Sequence, residues 1–193
     1  MAQPNLLDVD WSKIPAPTDD GGAAHLKGMT LPAIGLLATD DTSVTLSALA
    51  GRTVVFAYPR TGEPGKIALV DDWDMIPGAR GCTPQTCSFR DLFAELKAAG
   101  AAQVFGLSTQ SNDYQTEMAS RLHLPFPVLS DEKLEMTEAL NLPTMEVAGL
   151  TLIKRLALII DDARIAQVFY PVFPPDRNAG DVLDWLKGNP AKA

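Results

Sequence analysis

Nowhere does this sequence approach the about 18 consecutive apolar residues of a membrane-spanning helix, so no transmembrane span is expected. Its first residues, MAQPNLLDVDWSKIPAP, hold neither a basic cluster nor an apolar core. No secretory signal is expected there, and the location expected is cytoplasmic. Positive charge is in deficit: 16 Lys and Arg stand against 24 Asp and Glu, a formal net charge of -8. Nucleic acid and anionic membrane surfaces attract the opposite balance, so neither is expected as a partner. Histidine is nearly missing, with only His25 and His123. Internal repeats and low-complexity tracts are missing as well. Cysteine is as sparse, with only Cys82 and Cys87. In a reducing compartment a close Cys pair is more often catalytic, redox-sensing or metal-binding than a structural disulfide.

What remains is an ordinary globular composition, 46% hydrophobic and 21% charged over 193 residues, enough to bury one sizeable core. Residues 1–30 carry Pro4, Pro15, Pro17 and a DDGG turn, and read as an irregular N-terminal arm before a domain over 31–193. Within the domain, TVVFAY (Thr53–Tyr58) has the β-branched and aromatic content of a buried strand ended by Pro59. A long loop, 60–81, follows; loops of that length in compact domains are usually functional. Thr83–Ala99 reads as one amphipathic helix, with Thr83 as N-cap, Pro84 as first residue and Gly100 as terminator. Then come a strand over Gln103–Ser108, helices over Asp113–Leu122 and Lys133–Leu140, and strands over Leu156–Asp161 and Ile165–Tyr170. A tight DDAR turn joins those two strands, and a closing helix covers Ala179–Lys187. This order predicts an α/β fold of three layers, a mixed central β-sheet with helices on both faces, as in thioredoxin-like domains.

Both thiols fall in one segment, PGARGCTPQTCSFRD, from Pro77 to Asp91. A thiol is nucleophilic only as thiolate. Cys82 lies at a predicted helix start, where unpaired N–H groups and the helix dipole favour an anion. Arg80, Arg90 and Arg155 are candidate cations beside it, and Gly81 leaves room for a small substrate to approach the backbone. In an ideal helix, Cα atoms five residues apart are separated by about 8.6 Å. A disulfide tolerates about 7 Å, so Cys82 and Cys87 could join only if the helix start unwinds. Such a pair suits a cycle: oxidation of Cys82 to sulfenic acid, local opening, and condensation with Cys87. The bland alternative is two buried, hydrophobe-like cysteines. A metal site is disfavoured by the C-x4-C spacing and by the distance of both histidines along the chain.

The segment GCTPQTCSFRD resembles the peroxiredoxins, specifically the Q-type group that includes bacterioferritin comigratory proteins. The resemblance extends through FAYPR (Phe56–Arg60), GLSTQSNDYQ (Gly106–Gln115), LPFPVLSD (Leu124–Asp131) and KRLALIID (Lys154–Asp161), and covers roughly residues 30–187. It implies a thioredoxin-like fold and thiol-dependent reduction of hydrogen peroxide or organic hydroperoxides, without cofactor or metal. It places Cys82 as the peroxidatic cysteine, Cys87 as the resolving cysteine, and Arg155 as the cation that holds the thiolate and polarises the peroxide. Thioredoxin or glutaredoxin is the implied reductant, acting on a monomer or homodimer.

One departure stands out. Peroxiredoxins usually place a Thr three residues before the peroxidatic cysteine and a Pro four before that; here the former position is Ala79. Pro59 and Thr61 lie far upstream, separated by an apparent insertion within 60–81. Two arrangements are compatible with this. Either Thr61 and Pro59 fold back to the thiol, which is the favoured reading, or Thr83 supplies the hydroxyl. The departure also keeps two alternatives open: a thiol–disulfide oxidoreductase or redox sensor without peroxidase activity, and a metal-binding chaperone. Trp73 reads as a local anchor of the long loop, His123 as a surface or packing residue, Asp131 as a helix cap and Trp185 as core-facing.

Overall fold

A computed structural model describes residues 9–191; the first eight residues of the expected arm, Pro4 among them, lie outside it. Among the described residues, nine strands form two sheets. The large one takes β1 (Gly35–Ala38), β2 (Ser43–Thr45), β3 (Arg52–Ala57), β4 (Gln103–Ser108), β5 (Val128–Ser130), β8 (Leu156–Asp161) and β9 (Arg164–Phe169), in the order β2-β1-β5-β4-β3-β8-β9. Strands β3, β4 and β5 run parallel, while β8, β9, β1 and β2 join antiparallel, so the sheet is mixed as expected. A separate hairpin pairs β6 (Thr144–Val147) with β7 (Leu150–Ile153).

Strand alternation divides the core into two layers. From β3, Val54 and Phe56 point to one face, and Val55 and Ala57 to the other. The first face is covered by α1 (Cys82–Asp91), α2 (Phe93–Ala98), α3 (Asn112–Arg121) and α5 (Asn178–Gly188), through Phe89, Leu96, Met118 and Val182. The second is covered by α4 (Glu135–Ala139), the β6–β7 hairpin and part of the N-terminal segment, through Met136, Ile153 and Leu26. Residues 9–30 are irregular, with one 3-10 turn at Trp11–Lys13, yet Ala23 and Leu26 sit in the core. Burial therefore begins before residue 31.

Two local expectations are corrected. The single helix over Thr83–Ala99 is two helices that break at Leu92; Phe89 stacks on Phe56 (4.1 Å) before the break and Phe93 packs on Phe126 (5.8 Å) after it. Its N-cap is Gly81, not Thr83, which makes Cys82 the first helical residue. The hairpin turn between β8 and β9 agrees with its sequence: Asp162 and Ala163 both take positive φ, as a type I′ two-residue turn requires. Asp131 caps α4 by accepting from the N–H groups of Met136 and Thr137, although that helix starts at Glu135. Residues 60–81 are loop and turn apart from a short 3-10 segment, Trp73–Met75. Among the described residues no helix is long and apolar enough to cross a membrane.

Candidate active site

Strand β8 and helix α1 together build the site. Arg155, immediately before β8, is 2% exposed and directs its guanidinium at the start of α1. Its Nη2 donates to Sγ of Cys82 at 3.3 Å. The same nitrogen lies 3.2 Å from the Gly78 carbonyl, 3.2 Å from that of Ala79 and 3.0 Å from that of Arg80. Nη1 donates to Oε1 of Gln85, one turn into α1, and Gln85 donates in turn to Oδ1 of Asn178 at the start of α5 (2.9 Å). The cation is thus aimed by three backbone carbonyls and by an amide that is itself held from behind.

Cys82 is 3% exposed and lies at the positive end of α1. Its thiol donates to the carbonyl of Ala79 at 3.5 Å. Beneath it, burial pushes the Tyr58 phenol well above its usual range, with the charge of a Cys82 thiolate adding to the rise. Tyr58 therefore keeps its proton, which it donates to Gln115 (2.9 Å). Cys87 is in the same helix, buried and unpaired. Burial pushes its thiol up; Arg90 and Arg121 draw it back, and Asp91 adds to the rise. While the helix is closed, burial keeps the Cys87 thiol protonated and so a poor nucleophile.

Thr61 and Pro59, expected at the thiol, bond other groups. Thr61 is fully buried, but its Oγ1 donates to Gln110 (3.1 Å), and its carbonyl accepts from Tyr114 (3.1 Å). The carbonyl of Pro59 accepts from Ser108 (3.2 Å). The end of β3 is thus tied to the β4–α3 connection, and among the described residues neither Thr61, Pro59 nor Thr83 makes a hydrogen bond to Sγ. The acceptor for the thiol is the backbone of Ala79, the position where the usual Thr is missing. Two of the proposed cations also point away. Arg80 pairs with Asp74 (3.2 Å), and Arg90 with Asp91 and the Leu122 carbonyl. The histidines take no part: His25 bonds the carbonyl of Leu140 (2.9 Å) and His123 sits in a positive-φ turn.

Sequence reasoning missed Gln85, Asn178 and Trp11. Gln85 follows Cys82 by three positions, on the same helix face, and that spacing was the available signal. Trp11 carried none. It lies over the helix start, donates to Asp176 (2.9 Å) and meets the Phe173 ring edge-on (6.0 Å). Gly81 is required beneath it. Its φ is +105°, and an added Cβ would come within 2.6 Å of Pro175 and 2.7 Å of Trp11. Gly81→Ala is expected to lower stability by about 1–3 kcal/mol, read as a lower urea midpoint, with tryptophan emission shifted to the red as Trp11 is displaced. An unchanged midpoint would mean that Pro175 and Trp11 move aside for a Cβ at little cost.

The chain matches the redoxin family model over residues 26–183. It belongs to the redoxin family, as a Q-type peroxiredoxin. It is 32% identical to peroxiredoxin Bcp of Escherichia coli (strain K12) over 165 residues, which cover 83% of this chain and 94% of that one. It is 31% identical to the chloroplastic peroxiredoxin Q of Oryza sativa subsp. japonica, again over 83% of this chain, but spans only 66% of the rice protein's length. The crystal structure of peroxidoxin BcpB from Mycobacterium tuberculosis superposes with a TM-score of 0.68 at 26% identity, covering 86% of this chain and 99% of that one. These matches agree with the thioredoxin-like fold of this peroxiredoxin.

Proposed function

We propose that this peroxiredoxin reduces hydroperoxides through Cys82 and resolves the product with Cys87. The contact between Arg155 Nη2 and Cys82 Sγ, 3.3 Å long at the start of α1, carries the reading. A fixed cation and a helix N-terminus both favour the thiolate, and the cation also stabilises charge on the departing oxygen. The thiolate sulfur attacks one peroxide oxygen; the S–O bond forms as the O–O bond breaks. Sulfur loses two electrons, and the departing oxygen takes a proton and leaves as water or an alcohol. The start of α1 then unwinds and exposes Cys87. Its sulfur attacks the Cys82 sulfenic acid, the S–S bond forms and water leaves.

Two features make this unwinding local. The first turn is held by replaceable polar contacts, Gln85 to Arg155 and Asn178, while the second half is anchored by Phe89 stacked on Phe56. An external dithiol, thioredoxin or glutaredoxin, returns the pair to thiols, and a reducing cytoplasm would supply one. The chain acts as a monomer or homodimer on this reading.

Reduced protein given one equivalent of hydrogen peroxide is expected to lose both thiols rapidly, with a mass decrease of two hydrogens. The Cys87→Ser variant is expected to stop one oxygen heavier, with a dimedone-reactive sulfenic acid at Cys82. Reaction no faster than that of free cysteine would overturn the peroxidase reading and leave a thiol–disulfide protein. Rapid reaction with no sulfenic acid retained in Cys87→Ser would leave the peroxidase and remove its resolving step.

A further inference from the structure

The N-terminal segment lies across the start of α1, the part of the helix that has to unwind for the thiols to join. Pro15 and Pro17 keep the segment extended, and Asp19 and Asp20 end it in turns by accepting from the N–H groups of Gly21 and Gly22. It crosses the site as a strap. At one end Trp11 sits over Gly81, donates to Asp176 (2.9 Å) and meets Phe173 edge-on. In the middle Pro17 sits over Gly78. At the other end Asp20 bonds Lys154 (2.6 Å) and Tyr170 (2.7 Å). Hydrogen bonds from Lys154, Tyr170 and Gly22 hold the Asp20 carboxyl well below its usual range, so this anchor is ionised at neutral pH.

Gly81 is held between two walls. A Cβ there would meet Trp11 on one side and Pro175 on the other, so the turn into α1 has no free space to swing into. Unwinding must displace one of the two. Pro175 is buried and leads into α5, whose Ala179, Val182 and Leu186 belong to the core. Trp11 is only half-buried, and no residue from 9 to 22 is fully buried. Core packing resumes at Ala23, just past the Gly21–Gly22 turns. Segments with few buried contacts open at the lowest free energy, so the strap is the wall that yields.

We propose that the strap is a latch on the resolving step: it holds the start of α1 closed over oxidised Cys82 and must lift before Cys87 can reach it. The proposal rests on the reading above, in which Cys87 resolves the Cys82 sulfenic acid. The first oxidation is indifferent to the latch, because Arg155 and the thiol are held by Gln85 and the carbonyls of residues 78–80 and not by the strap. The second step waits for it. During that wait a second hydroperoxide competes with Cys87. The sulfenate sulfur attacks one peroxide oxygen, the S–O bond forms as the O–O bond breaks, and sulfur loses two more electrons. The departing oxygen takes a proton and leaves as water or an alcohol, and Cys82 is left as sulfinic acid. The strap thus sets how many turnovers end in inactivation.

Acid-quenched mass spectrometry separates the two steps: the sulfenic form is one oxygen heavier than the reduced protein, and the disulfide two hydrogens lighter. Trp11→Ala is expected to raise the rate constant for disulfide formation about 10-fold, the scale of one aromatic contact and one hydrogen bond lost from the closed state. Asp20→Ala, at the far anchor, is expected to raise it about threefold, the scale of an exposed ion pair, and carries the test if the Trp11 variant does not fold. In both, the rate constant for sulfenic acid formation should stay within about twofold of wild type, and less sulfinic acid should accumulate at high peroxide. Disulfide formation at the wild-type rate in the folded variants would overturn the latch and leave the peroxidase with its resolving step. A first step that changes as much as the second would also overturn it, by making the strap part of the reactive site. Wild-type protein that forms no disulfide would overturn the resolving role of Cys87 itself.

Discussion

Cys82→Ser is expected to lower peroxide consumption at least about a thousandfold, to the rate seen without protein. A serine hydroxyl has almost no alkoxide at neutral pH, and Arg155 and the helix dipole cannot make up a gap of that size. The fold should survive. Oγ is smaller than Sγ but can still donate to the Ala79 carbonyl, and Arg155 keeps its bonds to Gln85 and the loop carbonyls. The test is peroxide consumption under single-turnover conditions, with circular dichroism as the control for folding. Cys87→Ser must behave differently: it should consume its first equivalent at nearly the wild-type rate and then stall. If Cys82→Ser still consumes peroxide and Cys87→Ser does not, the two roles are reversed. Burial of Cys87, which pushes its thiol up, argues against that outcome.

The parts of the fold legible in the sequence were those with strong local signals. TVVFAY and LALIID are continuous apolar runs and became β3 and β8, both inside the sheet. The strands that went unread, GLLA, SVT, VLS, TMEV and LTLI, have only three or four residues, too few for alternation to declare itself. They are strands because β4 and each other's edges pair them, and a local pattern does not contain that. In the site, Cys82 drew attention as a thiol at a helix start and Arg155 through the resemblance to peroxiredoxins; the two side chains meet at 3.3 Å. The partner of Thr61 was not legible. A hydroxyl can serve many partners, and its choice of Gln110 depends on where β4 delivers the following loop. Trp11 is the extreme case: 70 positions separate it from Gly81, which it covers, and only the path of the strap brings them together.

Arg155→Gln is expected to lower the second-order rate constant for peroxide about 10²–10³-fold, the range for losing one preorganised donor to a developing anion. Two effects contribute. The thiolate loses its nearest cation, and the departing oxygen loses the fork that would stabilise it. They separate by reagent: iodoacetamide reads the thiolate alone, and peroxide reads both. The peroxide rate should therefore fall further than the alkylation rate. Arg155→Lys keeps the charge as a point and loses the fork, so it should recover alkylation better than peroxide reduction. Equal losses with both reagents would confine Arg155 to holding the thiolate. Stability must move as well, because the carbonyls of Gly78, Ala79 and Arg80 and the Gln85 amide all rely on this side chain. Each buried acceptor left bare costs about 1–3 kcal/mol, less where water enters, so Arg155→Gln should also unfold at lower urea. The loop that holds the arginine is the one that its cation must release when an oxygen arrives. A residue that is both keystone of the resting loop and partner of the reacting oxygen cannot be tested by rate alone, which is why the two reagents and the urea midpoint belong in one experiment.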